Sequence, residues 1–236
     1  MASDTSLFEE IERHLLSDEM PSRFLSELAG SSALGEYPFN MLERLQTTPQ
    51  SPRYHPEGSA WNHTLLVVDE AAGIKTKSAD PRAFMWAALL HDIGKPSTTV
   101  RRNAKITSYD HDKAGALLAR EFLGVFTADT DFIERTARLV RYHMQILFVG
   151  RNLPFADVEG MKRDTDVREV ALLGLCDRLG RQGADRQQEQ ENIRAFLVAC
   201  SSQSGERLHE ARSGQRGQNP KQLRHDHSNA PRGRKR

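Results

Sequence analysis

The chain has 236 residues and 38% of them are hydrophobic, enough for one sizeable domain with a tail or for two small domains. Lys and Arg total 33 against 32 Asp and Glu, so the overall charge neither favours nor excludes a nucleic-acid partner. No apolar run approaches the roughly 20 residues that cross a bilayer, which excludes a membrane-spanning protein. The polar N-terminus lacks a signal-peptide pattern, and the two cysteines do not suggest a disulfide framework. The sequence therefore predicts a soluble, cytoplasmic protein without a membrane partner.

Amphipathic helices are predicted for the first part of the chain. A capping box precedes apolar residues at every fourth position, which predicts a helix over residues 6–17. Shorter helices are expected over residues 23–28 and 39–45. We interpret residues 1–50 as an N-terminal helical segment that packs on the core.

Residues 51–200 are predicted to form the main domain, an all-α helical bundle. Three prolines make residues 46–58 a loop, and the next helix begins at Ser59 or Asn62. The sequence contains no internal repeat, no Gly-rich phosphate loop and no series of strands. Helices are expected over residues 59–72, 81–92, 111–122, 131–144, 166–179 and 189–200.

The stretch at residues 97–109 is polar and basic and has no helical period. It contains Arg101, Arg102 and Lys105, and its residues 105–109 are compatible with an extended conformation. Two interpretations remain open. The stretch is a solvated loop, or it forms a lip over a functional site and attracts phosphate.

Residues 201–236 differ in composition from the rest of the chain. They contain nine Lys and Arg residues and three Asp and Glu residues, a net charge of about +6. The segment lacks apolar periodicity and is rich in polar residues, so we predict a basic disordered tail. Its charge permits weak contact with RNA, although a solubilising role is the favoured interpretation.

The end of the predicted helix 81–92 carries the first chemical signal. His91 and Asp92 follow an apolar run and precede Gly94, a residue type that often ends helices. The pair places an imidazole nitrogen beside a carboxylate, and both are good ligands for a transition-metal ion. Lys95 follows as a cation able to contact a phosphate.

Further candidate ligands lie at helix ends or on apolar faces. Asp177 lies beside a nearly continuous apolar run, where a carboxylate is costly unless it is paired or binds a metal. The alternative to a metal is a salt bridge to Arg178 or Arg181. Each histidine taken alone is weak evidence, and His63 alone is more often structural. The candidate ligands together are His63, His91, Asp92, His111, His143 and Asp177.

The order of these residues resembles that of the HD superfamily of metal-dependent phosphohydrolases. The resemblance is closer still to the HD domain of bacterial tRNA nucleotidyltransferases, the CCA-adding enzymes, and covers roughly residues 20–185. As a set the motifs are specific, whereas the His-Asp pair alone is not. The motifs are Thr48-Pro49-Gln50, Tyr54-His55-Pro56-Glu57-Gly58, Trp61-Asn62-His63-Thr64-Leu65, Leu90-His91-Asp92-Ile93-Gly94-Lys95-Pro96, Asp110-His111 with Gly115-Ala116, Arg141-Tyr142-His143, and Asp177-Arg178-Leu179-Gly180-Arg181.

The resemblance implies a ligand set for one or two metal ions. The ligands of a first divalent metal correspond to His63, His91, Asp92 and Asp177. Asp92 would bridge to a second ion if one is present. The positions that bind this second ion in binuclear members of the family match His111 and His143.

The sequence also departs from the tRNA enzymes. Those enzymes carry an N-terminal nucleotidyltransferase domain with a Gly-Ser motif and paired acidic residues on strands. Nothing in this sequence matches that domain, and there is no room for it before residue 50. We therefore expect a stand-alone HD domain that does not add nucleotides to tRNA. Residues 154–165, ahead of Asp177, depart from the family pattern as well.

These residues predict a metal-dependent phosphohydrolase, acting as a phosphatase or a phosphodiesterase. Mixed His and Asp ligation suits Mn, Fe, Ni, Co or Zn, whereas Mg prefers an all-oxygen shell. A bound ion acidifies its water and neutralises phosphoryl charge. Asp92 or Asp177 would accept a proton, Lys95 would hold a phosphate oxygen, and Arg141 or Arg181 would assist.

The predicted substrate is a phosphate monoester or a 2′,3′-cyclic diester of a small nucleotide or of an RNA end. The alternative is a non-catalytic regulatory module that holds a metal or a nucleotide while its basic tail touches RNA. A degenerate module usually loses ligands, and here all the ligand positions are filled, which favours the enzyme. The sequence does not indicate an oligomeric state.

Overall fold

The computed structural model describes residues 2–103 and 105–214, and most of these residues are helical. The all-α prediction is confirmed. In the described part, no helix has both the length and the hydrophobic character that a membrane crossing demands. The helices in chain order are α1 (Ala2–Ser17), α2 (Ser22–Ala29), α3 (Asn40–Thr47), α4 (Ala60–Ala72), α5 (Pro81–Leu90), α6 (Lys95–Thr98), α7 (His111–Gly124), α8 (Thr130–Tyr142), α9 (Gln145–Gly150), α10 (Val158–Asp164), α11 (Val167–Leu179) and α12 (Arg186–Gly214). Regular structure also includes a 3-10 turn at Lys75–Lys77 and the strands β1 (Thr99–Arg102) and β2 (Lys105–Ser108).

Helix α5 lies at the centre of the core. Asp80 accepts a hydrogen bond from the backbone N–H of Ala83, and Pro81 occupies the first turn, so the helix begins where the sequence predicts. Every residue from Ala83 to Leu90 is buried, because α1, α4, α8 and α11 pack around the helix. This enclosed helix carries the residues that follow its C-terminal end into the interior.

The N-terminal helix α1 packs directly on α5. Phe8 stacks on Trp86 with a distance of 4.6 Å between ring centroids. The Glu12 carboxylate accepts hydrogen bonds from Trp86 Nε1 at 2.9 Å and from Arg82 Nε at 2.8 Å. The buried indole is therefore satisfied by the helix that covers it.

Side-chain caps explain why several helices begin where they do. Ser59 accepts a hydrogen bond from the backbone N–H of Asn62. Of the two predicted start positions, Ser59 and Asn62, Ser59 is therefore the one that caps α4. Asp129, Asp157 and Asp166 cap α8, α10 and α11 in the same way. These caps are local, which is why the sequence predicts most of the helix starts.

Some helices differ from the sequence-based prediction. Helices α6, α9 and α10 have only four, six and seven residues, too few for a helical period to be visible in the sequence. Helix α12 runs from Arg186 to Gly214, so it begins before the predicted range 189–200 and continues into the predicted tail. Residues 215–236 of that tail lie outside the described residues.

The basic stretch after α6 forms a β-hairpin. Strands β1 and β2 pair antiparallel, and Asn103 in the turn between them has a φ of 47°, a conformation that asparagine tolerates. The extended conformation that the sequence allows for residues 105–109 is found at Lys105–Ser108. The stretch is therefore an ordered element that directly precedes α7.

Gly94 lies where the segment after α5 touches α7. A Cβ atom at this position would overlap the carbonyl oxygen of His111 and would lie 2.6 Å from the backbone nitrogen of Gly115. Both are main-chain atoms, so no side-chain rotation can relieve the overlap. Glycine therefore permits the end of α5 and the start of α7 to meet.

Replacing Gly94 with alanine should lower the free energy of unfolding by about 1–3 kcal/mol, because the two backbones must separate. Urea unfolding measures the change. The matched control is Gly124→Ala at the end of α7, where an added Cβ meets nothing within 4 Å. That control should be neutral or stabilising by up to about 1 kcal/mol. Equal stability of the two variants would contradict the close-approach explanation.

Candidate metal centre

Five helices bring the six candidate ligands to one buried place. Helices α4 and α11 each contribute a residue from within the helix, and α7 contributes its first residue. Helices α5 and α8 contribute residues that directly follow their C-terminal ends. All six residues are at most 7% exposed. In this order of helices they are His63, Asp177, His111, His91 with Asp92, and His143.

The Asp92 carboxylate is at the centre of the cluster. Its Oδ2 atom lies 3.2 Å from His91 Nε2 and 2.6 Å from Lys95 Nζ. Its Oδ1 atom lies 3.5 Å from His111 Nε2, which in turn lies 3.2 Å from His143 Nε2. One carboxylate therefore faces imidazole nitrogens at both of its oxygens.

Three of the histidines are oriented in the same way. The Nδ1 atoms of His91, His111 and His143 donate to main-chain carbonyl oxygens three residues earlier, at 2.8, 2.7 and 2.7 Å. Because a carbonyl oxygen only accepts, Nδ1 carries the proton and Nε2 keeps its lone pair. A hydrogen bond of this kind is what orients a histidine for metal binding.

The facing nitrogens test whether the cluster fits a metal ion. His111 Nε2 and His143 Nε2 both carry lone pairs and lie 3.2 Å apart, which is repulsive unless a proton or a cation lies between them. His91 Nε2 and Asp92 Oδ2 are likewise buried without a well-formed hydrogen bond. Buried nitrogen and oxygen atoms whose lone pairs lack a hydrogen-bond donor fit a divalent cation as its ligands.

Two groups of candidate ligands share Asp92. One ligand atom from each of His63, His91 and Asp92 lies within 4.8 Å of the other two, and the same holds for Asp92, His111 and His143. Each group combines two imidazoles with one carboxylate, a donor set that suits borderline transition-metal ions. The cluster has the ligands for one ion, or for two ions bridged by Asp92.

His63 connects this cluster to two more carboxylates. Its Nε2 atom lies 3.0 Å from Asp177 Oδ1, and its Nδ1 atom lies 2.9 Å from Glu57 Oε1. The imidazole is therefore held between a candidate ligand and a carboxylate on the loop before α4. A carboxylate behind a metal-binding histidine fixes the ring and raises its basicity.

The carboxylates of the cluster are ionised although they are buried. Burial disfavours their charge, but the electrostatic interactions with His91 and with the Lys95 ammonium hold the pKa of Asp92 well below its usual range. Burial opposes the charge of Asp177 too. The positive charge of Arg181 and a hydrogen bond with His63 nevertheless hold the pKa of Asp177 well below its usual range. The ionised form is the one that binds a metal cation.

Burial keeps two of the histidines neutral. Burial and the neighbouring His111 lower the pKa of His143 to about 3, and burial also lowers the pKa of His111. His63 differs. Burial opposes its charge, but hydrogen bonds with Asp177 and Glu57 raise its pKa. Neutral imidazoles are the form that binds a metal, and the pair at His111 and His143 is already in that form.

Lys95 is directed into the cluster. Its ammonium group lies 2.6 Å from Asp92 Oδ2 and donates to Gln50 Oε1 at 2.5 Å, and the residue is only 8% exposed. Gln50 in turn donates to the carbonyl oxygen of Ser59 at 3.1 Å. An ammonium group has three N–H donors, so one remains for an additional oxygen atom.

The two arginines predicted to assist at phosphate are already paired with carboxylates. Arg141 forms an ion pair with Asp112. One terminal nitrogen of Arg181 lies 3.4 Å from both carboxylate oxygens of Asp177. Their side chains are 25% and 27% exposed, and a guanidinium group has five donors, so each retains free N–H groups.

The salt-bridge explanation for the buried Asp177 holds, and metal binding by this residue stays a prediction. The salt bridge to Arg181 is present, whereas Arg178 pairs with Glu189 instead. Asp177 also contacts His63 of the cluster. The carboxylate therefore belongs to the cluster and has a neutralising partner on its own helix.

Three residues at the cluster are absent from the candidates predicted by sequence, namely Gln50, His55 and Glu57. His55 Nδ1 lies 2.8 Å from Glu57 Oε1, and these two residues and His63 form a further group whose ligand atoms lie within 4.8 Å of one another. Gln50, His55 and Glu57 all lie in loop motifs that carry the family resemblance. That placement is the signal in the sequence that could have found them.

A family comparison matches the region that contains the whole cluster. The profile of the HD domain matches residues 60–181, slightly more than half of the chain, and this span includes all six candidate ligands. The chain belongs to the HD domain family. The resemblance inferred from the motifs is therefore confirmed.

Curated relatives of this HD domain protein carry the name multifunctional CCA protein. The relative from Methylococcus capsulatus is 31% identical over 188 residues, which cover 79% of this chain and 38% of that protein. The relative from Aromatoleum aromaticum is 33% identical over 205 residues, which cover 83% of this chain and 48% of that protein. The chain spans less than half the length of these relatives.

Replacing Glu57 with alanine should weaken the binding of Mn or Ni to the metal-stripped HD domain about 10–100-fold, because His63 loses the carboxylate that orients it. Isothermal titration calorimetry measures the affinity. Glu70→Ala is the matched control, since its carboxylate pairs with Arg186 and not with a histidine. Metal affinity in Glu57→Ala equal to that of the control would contradict the positioning role of Glu57.

Proposed function

We propose that this HD domain is a metal-dependent phosphohydrolase of the cytoplasm that cleaves phosphate monoesters or cyclic diesters of nucleotides or of RNA ends. The observation that carries the proposal is the Asp92 carboxylate, which faces His91 at one oxygen and His111 at the other. A purely structural domain has no need for a buried carboxylate between imidazoles whose Nε2 lone pairs face it.

The donor set favours a particular class of ion. Imidazole nitrogens and carboxylate oxygens together suit Mn, Fe, Co, Ni or Zn better than Mg. A divalent ion at this place would acidify a coordinated water and offset the negative charge of a phosphoryl group. We propose that His63, His91, Asp92 and Asp177 hold the first ion, and that His111 and His143, with Asp92, hold a second.

The remaining roles follow from the positions of the charged side chains. Lys95 approaches Asp92 and keeps one free N–H, which we assign to an oxygen of the bound phosphate. Asp177 or Asp92 would accept the proton of the attacking water, because both are ionised. Arg181 and Arg141 retain free N–H donors for the phosphate oxygens, and Asp177 would orient the Arg181 guanidinium.

The relatives support a substrate related to RNA. Their name, multifunctional CCA protein, and the likeness to the HD domain of tRNA nucleotidyltransferases both agree with action at an RNA end. This chain spans less than half of those relatives, so we propose for it only the hydrolysis of a phosphate ester. Nucleotide addition is not part of the proposal.

Replacing Asp92 with alanine in metal-stripped protein should abolish turnover that Mn, Co, Ni, Zn or Mg restores to the wild type. The expected loss is at least about a thousandfold, since several kcal/mol of transition-state stabilisation disappear. Turnover is measured on 2′,3′-cyclic AMP and on an aryl phosphate. The control is Asp131→Ala. Asp131 lies in the first turn of α8, whereas His143 follows the opposite end of that helix.

Metal-restored turnover that is lost in Asp92→Ala and kept in Asp131→Ala supports the enzyme. A folded wild-type protein that binds metal but turns over neither substrate with any ion contradicts it and favours the regulatory module. A folded protein that neither binds metal nor turns over substrate contradicts both functions.

Replacing Lys95 with glutamine should lower kcat on 2′,3′-cyclic AMP by about a hundredfold, because a charged donor to the phosphate is lost. The ligands remain in place, so the protein should still bind Mn in a calorimetric titration. Asp112→Asn, which removes the charge that pairs with Arg141, serves for comparison. An unchanged kcat in Lys95→Gln would exclude Lys95 from contact with the reacting phosphate.

A further inference from the structure

A groove of about 320 Å³ lies outside the metal centre. The end of α3, the loop after it, α6 and strand β1 form its walls. None of the residues that the structure describes along these walls is acidic. The residues that matter for its chemistry are Arg44, Thr47, Pro49, Pro96, Thr99 and Arg101.

Two residues of the groove are chain neighbours of residues at the metal centre. Pro49 precedes Gln50, and Pro96 follows Lys95. Gln50 and Lys95 are joined by a hydrogen bond of 2.5 Å, and the Lys95 ammonium lies 2.6 Å from the Asp92 carboxylate. Lys95 therefore contacts the metal centre directly and Gln50 contacts it through Lys95, while the chain neighbours of both residues line the basic groove.

The hairpin presents its positive charges next to this groove. Thr99 and Arg101 alternate with Val100 along β1, so they share one face of the hairpin. Both line the groove. Arg102 pairs with Lys105 in the antiparallel register, at the end of the hairpin close to the turn. The hairpin is thus a basic wall, which favours the lip interpretation of this stretch over a plain solvated loop.

The two groove arginines differ from the arginines that pair with a carboxylate. Arg120 and Arg186 each bind a glutamate, and Arg141 binds an aspartate. Arg44 and Arg101 are exposed, and neither has a carboxylate partner among the side chains that the structure describes, those of residues 5–103 and 105–202. Two unpaired guanidinium groups beside threonine hydroxyl groups make a site suited to phosphate oxygens.

We propose that the groove binds the backbone phosphates of a single-stranded RNA whose terminal phosphate lies in the metal centre. This inference rests on the proposed function and narrows its substrate. The groove is lined by residues other than Lys95 and the candidate ligands, so it receives a phosphate other than the reacting one. A 2′,3′-cyclic phosphate requires a 2′-hydroxyl group, and for this reason the strand is RNA rather than DNA.

Binding is tested first, without relying on turnover. A short fluorescein-labelled single-stranded RNA is titrated with the full-length protein, and anisotropy gives Kd at several salt concentrations. The variant is Arg44→Glu/Arg101→Glu. The control is Arg168→Glu/Arg194→Glu, which changes the net charge by the same amount. Both arginines are exposed, and Arg168 lies at the end of α11 opposite to Asp177. The C-terminal tail is the same in all proteins.

The groove variant should weaken RNA binding by about tenfold or more relative to the control. The slope of log Kd against log salt concentration should become shallower by about 0.7 for each phosphate that the variant no longer neutralises. Equal Kd values for groove variant and control would overturn the inference, and so would an absence of measurable RNA binding by the wild type.

Turnover separates this inference from the function on which it rests. On an RNA ending in a 2′,3′-cyclic phosphate, the groove variant should raise KM about tenfold more than it does on 2′,3′-cyclic AMP. Groove-dependent RNA binding without any hydrolysis would leave the groove supported and contradict the phosphohydrolase. Hydrolysis with equal KM ratios for groove variant and control would support the phosphohydrolase and contradict the groove.

Discussion

The buried carboxylate of Asp92 is the constraint on which the site depends. A charge that is 1% exposed is unfavourable unless cations and hydrogen-bond donors surround it. The fold supplies the Lys95 ammonium at one oxygen, and it places the imidazoles of His91 and His111 against the two oxygens as candidate ligands of a metal cation. To do so it must bring the end of α5 against the start of α7, and Gly94 permits this approach. The packing of these two helices and the chemistry of the site are therefore one arrangement.

Cationic side chains lie both at the metal centre and at the basic groove. The imidazoles are innermost, and the ammonium of Lys95 lies beside them with Gln50 behind it. The exposed Arg44 and Arg101 line the basic groove. In the proposed function, these cations would attract an anionic substrate toward the buried centre and would hold the part of it that does not react.

Local signals made most of the fold predictable. Caps such as Ser59 and Asp80 act over three residues, so the sequence shows where α4 and α5 begin. The ligands of the site come from helices far apart in the chain, and no periodicity connects them. Positions at helix ends or on apolar faces indicate the six candidates, and the family resemblance predicts which of them share an ion. Glu57 escaped prediction because it lies in a proline-rich loop and acts through His63. The inward direction of Lys95 depends on Gln50, a tertiary contact that spacing cannot reveal.

The hydrogen bonds that orient the histidines have a second consequence. The last carbonyl groups of an α-helix have no partner within the helix. His91 donates to the carbonyl of Ala88 at the end of α5, and His143 donates to that of Val140 at the end of α8. Each bond therefore closes a helix and aims a ligand at the same time. Changing either histidine should therefore weaken the scaffold together with the candidate centre, so the proposed catalysis and the folding depend on the same side chains at these two positions.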